Sequence, residues 1–176
     1  ASMLLMHAGV ANSQPAPVYK PTKRGGGGAL RVLWWQGATL LQPHFANGTK
    51  DQEGSRIFYE SLAVWDSDGN LIPVLAAEIP SRENGGLAAD GKSVVWKLKQ
   101  GVTWHDGQPF TAKDVQCTWR MLIGKGDTQD FKRNPRKVWY TKLQDVSVNG
   151  DHETTFELSE PQPSLPVLLA SAFSPV

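Results

Sequence analysis

The stretch from Val94 to Leu122 constrains the fold most, because its pattern predicts a strand, a tight turn and a helix in direct succession. Hydrophobic residues occupy every second position at its start, as in a strand with one buried face: Val94, Trp96 and Leu98. After Thr111, apolar residues recur at helical spacing and form one face: Val115, Trp119 and Leu122. Asp114 lies three positions after Thr111, where a carboxylate favours the positive end of a helix.

A hairpin is predicted nearer the C-terminal end. Val146 and Val148 alternate with polar residues, and Asn149-Gly150 is a strong signal for a hairpin turn. Alternation resumes on the far side of the turn at Thr154, Phe156 and Leu158. Two prolines end this hairpin, and the apolar segment 164–170 then predicts a short helix.

The first third of the folded region predicts a strand, a helix and an edge strand. Residues 29–35 form a short apolar run rich in branched and aromatic side chains, which indicates a buried strand. Thr49 and Gln52 have the spacing of a capping box, and Ile57, Phe58 and Leu62 share one helical face, so a helix is expected over 51–63. Turn residues occupy 66–70, and Pro73 demotes 71–77 to an edge strand or an irregular segment.

Residues 1–24 differ from the rest of the chain. An apolar cluster at Met3–Met6 is followed by small residues around Ala11 and by a proline-bearing polar run. This resembles the end of a secretory signal peptide followed by a linker, and a disordered terminus is the alternative interpretation. Gly25–Gly28 is expected to form a flexible joint before the folded region.

Composition excludes several classes of protein. The formal net charge of +1 provides no basic surface of the kind that nucleic-acid binding requires. A single cysteine, Cys117, rules out an intramolecular disulfide and a zinc site built from several cysteines. No apolar run approaches the roughly 20 residues that span a bilayer.

His105 and Asp106 form the most tempting catalytic pair, as a base beside the carboxylate that orients it. Adjacent side chains of an extended segment point to opposite sides, however, and no nucleophile motif accompanies the pair. A turn with Asp106-Gly107 at its corner is the favoured interpretation. The four histidines show no ligand spacing, so no metal site is expected: His7, His44, His105 and His152.

Three further sets of residues receive structural interpretations. Cys117 is expected to be a small packed residue of the helix after Thr111, and not a nucleophile. A basic cluster is expected to be a solvated face: Lys125, Lys132, Arg133, Arg136 and Lys137. Core packing explains most of the seven tryptophans, namely Trp34, Trp65, Trp96, Trp104 and Trp119, whereas Trp35 is the one expected to face a cleft.

Five segments of the chain, in order, resemble the family 5 extracellular solute-binding proteins of bacterial ABC importers, of the dipeptide- and oligopeptide-binding type. They are Gly27–Val32 (GGALRV), Leu41–Pro43 (LQP), Phe58–Ala76 (FYESLAVWDSDGNLIPVLA), Trp96–Val115 (WKLKQGVTWHDGQPFTAKDV) and Val148–Pro163 (VNGDHETTFELSEPQP). Trp96–Val115 is the most specific of these. Gln42 departs from the family, which usually has an acidic residue there, and the basic loop after Gly124 has no clear counterpart.

The resemblance implies an α/β fold like the type II periplasmic binding proteins, of which this chain would hold an N-terminal part. It implies residues 25–45 as the first strand and cleft loop of lobe I, 46–150 as the extra subdomain of the peptide-binding group, and 151–176 as the return into lobe I, with the second lobe missing. It also implies a periplasmic location, a monomeric full-length protein, no cofactor, and two partners: a peptide-like solute and an inner-membrane permease.

Ligand contacts are expected in the loop after the first strand, where ligands bind in open α/β sheets and where the resemblance also points. We predict that this loop contributes Trp35 as an apolar wall, Gln36 and Thr39 as hydrogen-bond donors, and Ala38. In the alternative, Trp35 packs against the extra subdomain and only the loop backbone touches solute.

Other functions stay open at this point. The chain is a hydrolase if His105 and Asp106 converge on an open pocket, and a scaffold or receptor-coupling protein if the fold has been reused. Within the binding function, the solute is a peptide or, alternatively, a metal complex, a sugar or an opine-like compound.

Overall fold

The computed structural model describes residues 27–29, 31–126, 134–171 and 173–176. The chain divides into two compact units, 1–31 and 32–176, and the first contains no helix or strand among its few described residues. The expected signal peptide or linker at 1–24 lies outside the described residues. All elements below belong to the second unit.

The second unit contains three α-helices, one 3₁₀ helix and five strands among its described residues. The helices are α1 (Thr49–Ser55), α2 (Ala112–Ile123), the 3₁₀ helix (Lys137–Tyr140) and α3 (Leu165–Leu169). The strands are β1 (Ala63–Trp65), β2 (Leu71–Pro73), β3 (Ser93–Lys97), β4 (Leu143–Val148) and β5 (Glu153–Leu158). β1 pairs with β2, while the other three form an antiparallel sheet in the order β3-β5-β4.

Helix α2 lies against the three-stranded sheet, as the spacing of its apolar residues predicts. The Asp114 carboxylate accepts hydrogen bonds from the backbone N–H of Thr111 (2.7 Å) and from its hydroxyl (3.1 Å), which holds the first turn. Gly124 ends the helix in the left-handed conformation at a φ of 79°. The buried face of α2 and the inner face of the sheet form the core: Val115, Trp119, Leu122, Val94, Trp96, Val146 and Phe156.

The predicted β4–β5 hairpin is confirmed, with the Asn149 N–H bonded to the Glu153 carbonyl across its loop. The expected domain boundary between residues 150 and 151 falls inside this loop. β5 is the central strand of the sheet, so residues 153–158 share one layer with β3 and β4. The predicted helix over 164–170 is present as α3.

The turn and edge strand predicted over 66–77 are also present. The Asp66 carboxylate accepts the backbone N–H groups of Asp68 (2.9 Å) and Asn70 (2.7 Å), so a single side chain organises the connection between β1 and β2. Hydrogen bonding by Asn70 lowers the pKa of Asp66 below its ordinary value. Among the described strands, β2 pairs with β1 alone, which is consistent with proline at an edge position.

The buried strand predicted over 29–35 is not found. Its described residues, 29 and 31–35, are in no strand, and their hydrophobic side chains face solvent, with Leu33 98% exposed and Trp34 46% exposed. A strand requires a neighbour to satisfy its backbone N–H and C=O groups. Among the described residues, no strand lies beside this segment, and its hydrophobic composition alone does not create one.

The helix predicted over 51–63 begins earlier and is shorter. α1 spans Thr49–Ser55 with Gly48 as its N-cap, so Thr49 lies inside the first turn and the predicted capping box does not form. Ile57 is exposed, and Leu62 is buried next to β1 instead of on a helix. Beyond Ser55 the chain makes a turn, in which the Phe58 and Tyr59 N–H groups bond to the Ser55 carbonyl. Ala63, the expected end of the helix, instead begins β1, which pairs with β2.

Two further expectations are wrong. Cys117 is exposed, because it lies two residues, or about 200°, from Val115 and so occupies the helix face opposite the sheet. Trp65 is 47% exposed at the end of β1 instead of buried, and Trp104 is only partly buried, whereas Trp96 and Trp119 are fully buried as predicted.

Candidate functional site

Loop 35–41, the segment before α1 that contains the predicted ligand contacts, is held by one carboxylate. Asp51 Oδ1 accepts the backbone N–H of Thr39 at 2.6 Å and that of Leu40 at 3.1 Å. Lys50 Nζ lies 2.7 Å from the same oxygen. The hydrogen bond from Lys50, followed by that from the Thr39 N–H, lowers the pKa of Asp51 to about 2, so the carboxylate is ionised near neutral pH.

A close approach between α1 and the loop strengthens this attachment. A Cβ atom placed on Gly54 would lie 3.1 Å from the Cβ of Ala38 and 3.7 Å from Cδ2 of Leu41. Glycine at position 54 therefore allows the loop to lie directly against the helix. Asp51 and Gly54 were not singled out from the sequence, because nothing in their spacing indicates that a loop packs on them.

The four predicted contact residues lie together on this loop, and all four are exposed. Trp35 is the largest of them and is 69% exposed. The Thr39 hydroxyl already has partners, since its oxygen accepts a hydrogen bond from Lys50 Nζ at 2.6 Å and lies 3.4 Å from Asp51 Oδ1. Thr39 thus anchors the loop, and its contact with solute stays a prediction, as do those of the other three.

Turn 42–46 continues from this loop and is buried, in contrast to it. Two backbone hydrogen bonds close the turn, from Phe45 N–H to the Gln42 carbonyl and from Ala46 N–H to the Pro43 carbonyl. The Gln42 side chain, at the position where the family usually has an acid, accepts the His44 N–H at 2.7 Å. The Gln42 amide therefore has a structural role in this turn.

Arg136 corrects the expectation that the basic cluster is a solvated face. Its side chain is buried, and it donates to the carbonyls of Pro43 (3.0 Å) and Ala46 (2.8 Å). Lys125 and Lys137 are exposed as expected, while Lys132 and Arg133 lie outside the described residues. Spacing along the chain did not reveal this contact, because the donor and the acceptors are about 90 residues apart.

His44 is buried in the same turn and connects it to residues 173–176. Its Nε2 lies 3.0 Å from the Pro175 carbonyl, which can only accept, so Nε2 carries the proton. Burial lowers the pKa of His44 from 6.5 to about 4; the hydrogen bond to Pro175 opposes this shift, and the positive charge of Arg136 adds to it. His44 is therefore neutral at physiological pH.

His105 and Asp106 occupy a turn, as the favoured interpretation predicted. The Trp104 N–H bonds to the Gln108 carbonyl, and the Asp106 carboxylate accepts the Gln108 N–H at 2.9 Å. Gly107 has a φ of 86°, which favours glycine. Both side chains are exposed, and the Asp106 carboxylate is directed to the backbone of its own turn.

This turn leads to a prediction that separates structure from binding. Gly107→Val should destabilise the protein by about 1–3 kcal/mol through backbone strain alone, because no described residue beyond its two chain neighbours has an atom within 4 Å of the added Cβ. His105→Ala should leave solute binding by the full-length protein within a few-fold of wild type. Urea denaturation and calorimetry test the two variants. Loss of binding by His105→Ala at an unchanged melting temperature would contradict the structural role.

The described residues contain neither a candidate metal-ion cluster nor a candidate membrane-spanning helix. No cluster of three or more His, Cys, Asp or Glu side chains within them is arranged to hold a metal ion. Among the helices that the structure describes, none combines the length and the apolar character needed to cross a bilayer.

The sequence is similar to a family of known proteins over most of its length. Residues 70–176 match the family model described as bacterial extracellular solute-binding proteins, family 5 Middle. The oligopeptide-binding protein AppA of Bacillus subtilis is 32% identical over 120 residues, which are 68% of this chain and 20% of AppA. A probable peptide ABC transporter periplasmic-binding protein of Sinorhizobium fredii is 25% identical over 93% of this chain and 28% of its own length.

Solved structures show the same fold. AppA of Bacillus subtilis in complex with a nonapeptide superposes with a TM-score of 0.59 at 27% identity, covering 70% of this chain and 22% of AppA. The binding protein AgaA of A. tumefaciens R10 in complex with agropinic acid gives a TM-score of 0.66 at 21% identity, covering 78% of this chain and 26% of AgaA. The chain thus spans about a quarter of the length of the relatives that it matches.

Proposed function

The chain belongs to the family 5 bacterial extracellular solute-binding proteins, and on that basis we propose that it forms part of a periplasmic receptor for a peptide or peptide-like solute. The receptor captures the solute outside the inner membrane and delivers it to an ABC permease. Relatives in this family are described as oligopeptide-binding and peptide-transport proteins, which supports this class of solute. We further propose that the full-length protein is a monomer that needs no cofactor.

The observation that carries this proposal is loop 35–41, an exposed loop that is hydrogen-bonded to α1. Asp51 holds its backbone at Thr39 and Leu40, while Trp35 and Gln36 extend into solvent. An apolar surface with a few fixed polar groups is the usual composition of a ligand pocket. We propose that Trp35, Gln36, Ala38 and Thr39 form the contribution of the first lobe, with Trp35 as the wall and Gln36 as the donor.

We propose domain limits that differ from those implied by the resemblance, and the sheet topology supports them. Because β5 lies between β3 and β4, we place the return of the chain into lobe I after Leu158 instead of after Gly150. The extra subdomain then extends from residue 46 to Leu158 and contains the whole three-stranded sheet with α2. Residues 25–45 remain the proposed first segment of lobe I.

Enclosure of the solute requires more chain than is present here. The relatives are about three times as long as this chain, and we propose that the remaining length supplies a second lobe that closes over loop 35–41. Closure is favoured when the solute contacts both lobes, since only the closed state gains the contacts of the second lobe.

Mass spectrometry of compounds that co-purify with the full-length protein tests the solute class. We expect short peptides to be retained by the wild type and lost from a Trp35→Ala, Gln36→Ala double variant with an unchanged melting temperature. A single small compound instead of peptides would favour the second candidate, a non-peptide solute such as an opine, a sugar or a metal complex. That candidate is raised by the agropinic acid complex of AgaA.

Closure leads to a further prediction. The 176-residue chain alone should bind the co-purified peptide at least about tenfold more weakly than the full-length protein, because it lacks the lobe that buries the ligand. Isothermal titration calorimetry of both proteins with the same peptide measures the difference. Equal affinities would mean that the whole site lies within residues 1–176, and the two-lobed enclosure would then be wrong.

A further inference from the structure

We infer that Arg136 is a positioning residue for solute binding: its buried guanidinium holds turn 42–46 in place and thereby sets the position of loop 35–41. The inference rests on the proposed function, because the loop it concerns is the proposed solute contact. Arg136 acts on the site through turn 42–46 and is not itself proposed to contact solute.

The guanidinium group spans the turn. Nη1 donates to the Pro43 carbonyl at 3.0 Å and Nη2 donates to the Ala46 carbonyl at 2.8 Å, so one planar group joins both ends of the turn. A guanidinium presents its donors in a fixed fork, which makes such a two-carbonyl contact specific in geometry. Hydrogen bonds from a charged donor are also stronger than those between neutral groups.

The surroundings of Arg136 make this contact sensitive to the shape of the turn. Its Cζ atom lies 4.7 Å from the centre of the Phe173 ring and 5.8 Å from that of Trp139. Within the described part of the chain, no carboxylate forms an ion pair with it. The buried charge is therefore compensated by two carbonyl dipoles and two aromatic faces, and the carbonyl contribution is lost if the turn opens.

Hydrogen bonds from two neighbouring residues of α1 link the turn to the loop. Ala46 O, which accepts from Arg136, also accepts from Gln52 Nε2 of α1 at 3.1 Å. The residue before Gln52 in that helix is Asp51, whose carboxylate holds Thr39 and Leu40. Helix α1 thus holds the chain on both sides of residues 41–45, while Arg136 holds the turn between them. Loss of the Arg136 hydrogen bonds is therefore expected to loosen the contacts with α1.

Hydrogen exchange of the 176-residue chain tests the positioning role directly. In Arg136→Met, we expect the bonded amides of Thr39, Leu40, Phe45 and Ala46 to exchange about 10- to 100-fold faster, the loss expected for hydrogen bonds to a charged group. Amides of α2 and β5 should keep their protection. Arg136→Lys should lie closer to wild type, because the ammonium keeps the charge and a donor. Arg120→Met, which removes an arginine bonded to Asp145 instead, is the control and should leave residues 39–46 protected.

Two exchange results would overturn the inference. Unchanged protection over 39–46 in Arg136→Met would show that the turn holds its place without the guanidinium. Equal acceleration across 39–46, α2 and β5 would show that Arg136 stabilises the fold as a whole and positions nothing in particular. If Arg136→Met does not fold, amide protection is compared between Arg136→Lys and wild type. Unchanged protection over 39–46, or equal acceleration over 39–46, α2 and β5, would then overturn the inference.

A binding measurement on the full-length protein connects the loop to the solute. With a random tripeptide pool as the probe, we expect Arg136→Lys to retain several-fold less peptide than wild type, and Arg120→Met to retain as much. Equal retention by wild type and both Arg136 variants would overturn the positioning role. A wild type that retains no peptide would instead overturn the proposed peptide function, and the exchange measurement would still decide whether Arg136 holds the loop.

Discussion

Replacement of Trp119 with alanine is expected to lower the free energy of unfolding by about 3–5 kcal/mol, the range for truncating a fully buried large aromatic side chain. Trp119 has no exposed surface and lies on the face of α2 that packs against the sheet. Its ring contacts Phe156 of the central strand in an edge-to-face arrangement, with the centroids 5.3 Å apart. Alanine would leave a cavity where helix and sheet meet.

Urea denaturation of the 176-residue chain, followed by circular dichroism, measures this loss. Trp65→Ala is the matched control, since Trp65 is 47% exposed at the end of β1. We expect the control to cost about 1 kcal/mol or less, as is usual for substitutions at exposed positions. Similar losses in both variants would show that Trp119 is not the centre of the core.

Acid is expected to destabilise the protein by about 3 kcal/mol through His44 alone, between its ordinary pKa of 6.5 and its folded-state pKa of about 4. The folded state lowers this pKa, so it favours the neutral ring. Above the unfolded pKa both states are neutral, and the stability is fully present. As the pH falls, the unfolded chain binds a proton that the folded chain excludes, and stability declines until the folded pKa is reached.

The measurement compares the unfolding free energy at about pH 7 and about pH 4 in wild type and His44→Gln, whose amide can still donate to Pro175. The wild type should lose about 3 kcal/mol more than the variant. His105→Ala, at an exposed position, should follow the wild type. Arg136, the charged group that acts on the pKa of His44, does not titrate in this range and contributes a constant repulsion. Equal acid sensitivity of wild type and His44→Gln would show that His44 is not buried as described.

The segments that were predicted correctly are those whose partners lie nearby in the sequence. Helix α2 carries its own N-terminal carboxylate, Asp114, and its own C-terminal glycine, Gly124. The β4–β5 hairpin pairs across a turn of a few residues, and alternation shows which side chains face the core. Local hydrogen bonds and regularly spaced apolar residues are sufficient to predict these two elements, because both signals lie within about a dozen residues.

The candidate site was only partly predictable. The position of loop 35–41 came from the fold that the resemblance implied, and the structure shows its four predicted contact residues exposed on one loop. Its support by Asp51 and Gly54 was missed, because an aspartate in a first helical turn and a glycine near a helix end usually have local explanations.

Local sequence therefore specifies the elements whose hydrogen bonds are made between residues close together in the chain: α2, the β4–β5 hairpin, and the turns at Asp66 and Gly107. Contacts between distant segments decide the rest. A hydrophobic run at 31–35 stays outside any strand because none of the described strands lies beside it, and residues 63–65 form a strand instead of a helix end because β1 pairs with β2. Arg136 and His44 are polar yet buried, and carbonyls about 90 and 131 residues away accept hydrogen bonds from them. A hydrogen bond of this kind depends on where the fold places its acceptor, which no local pattern records.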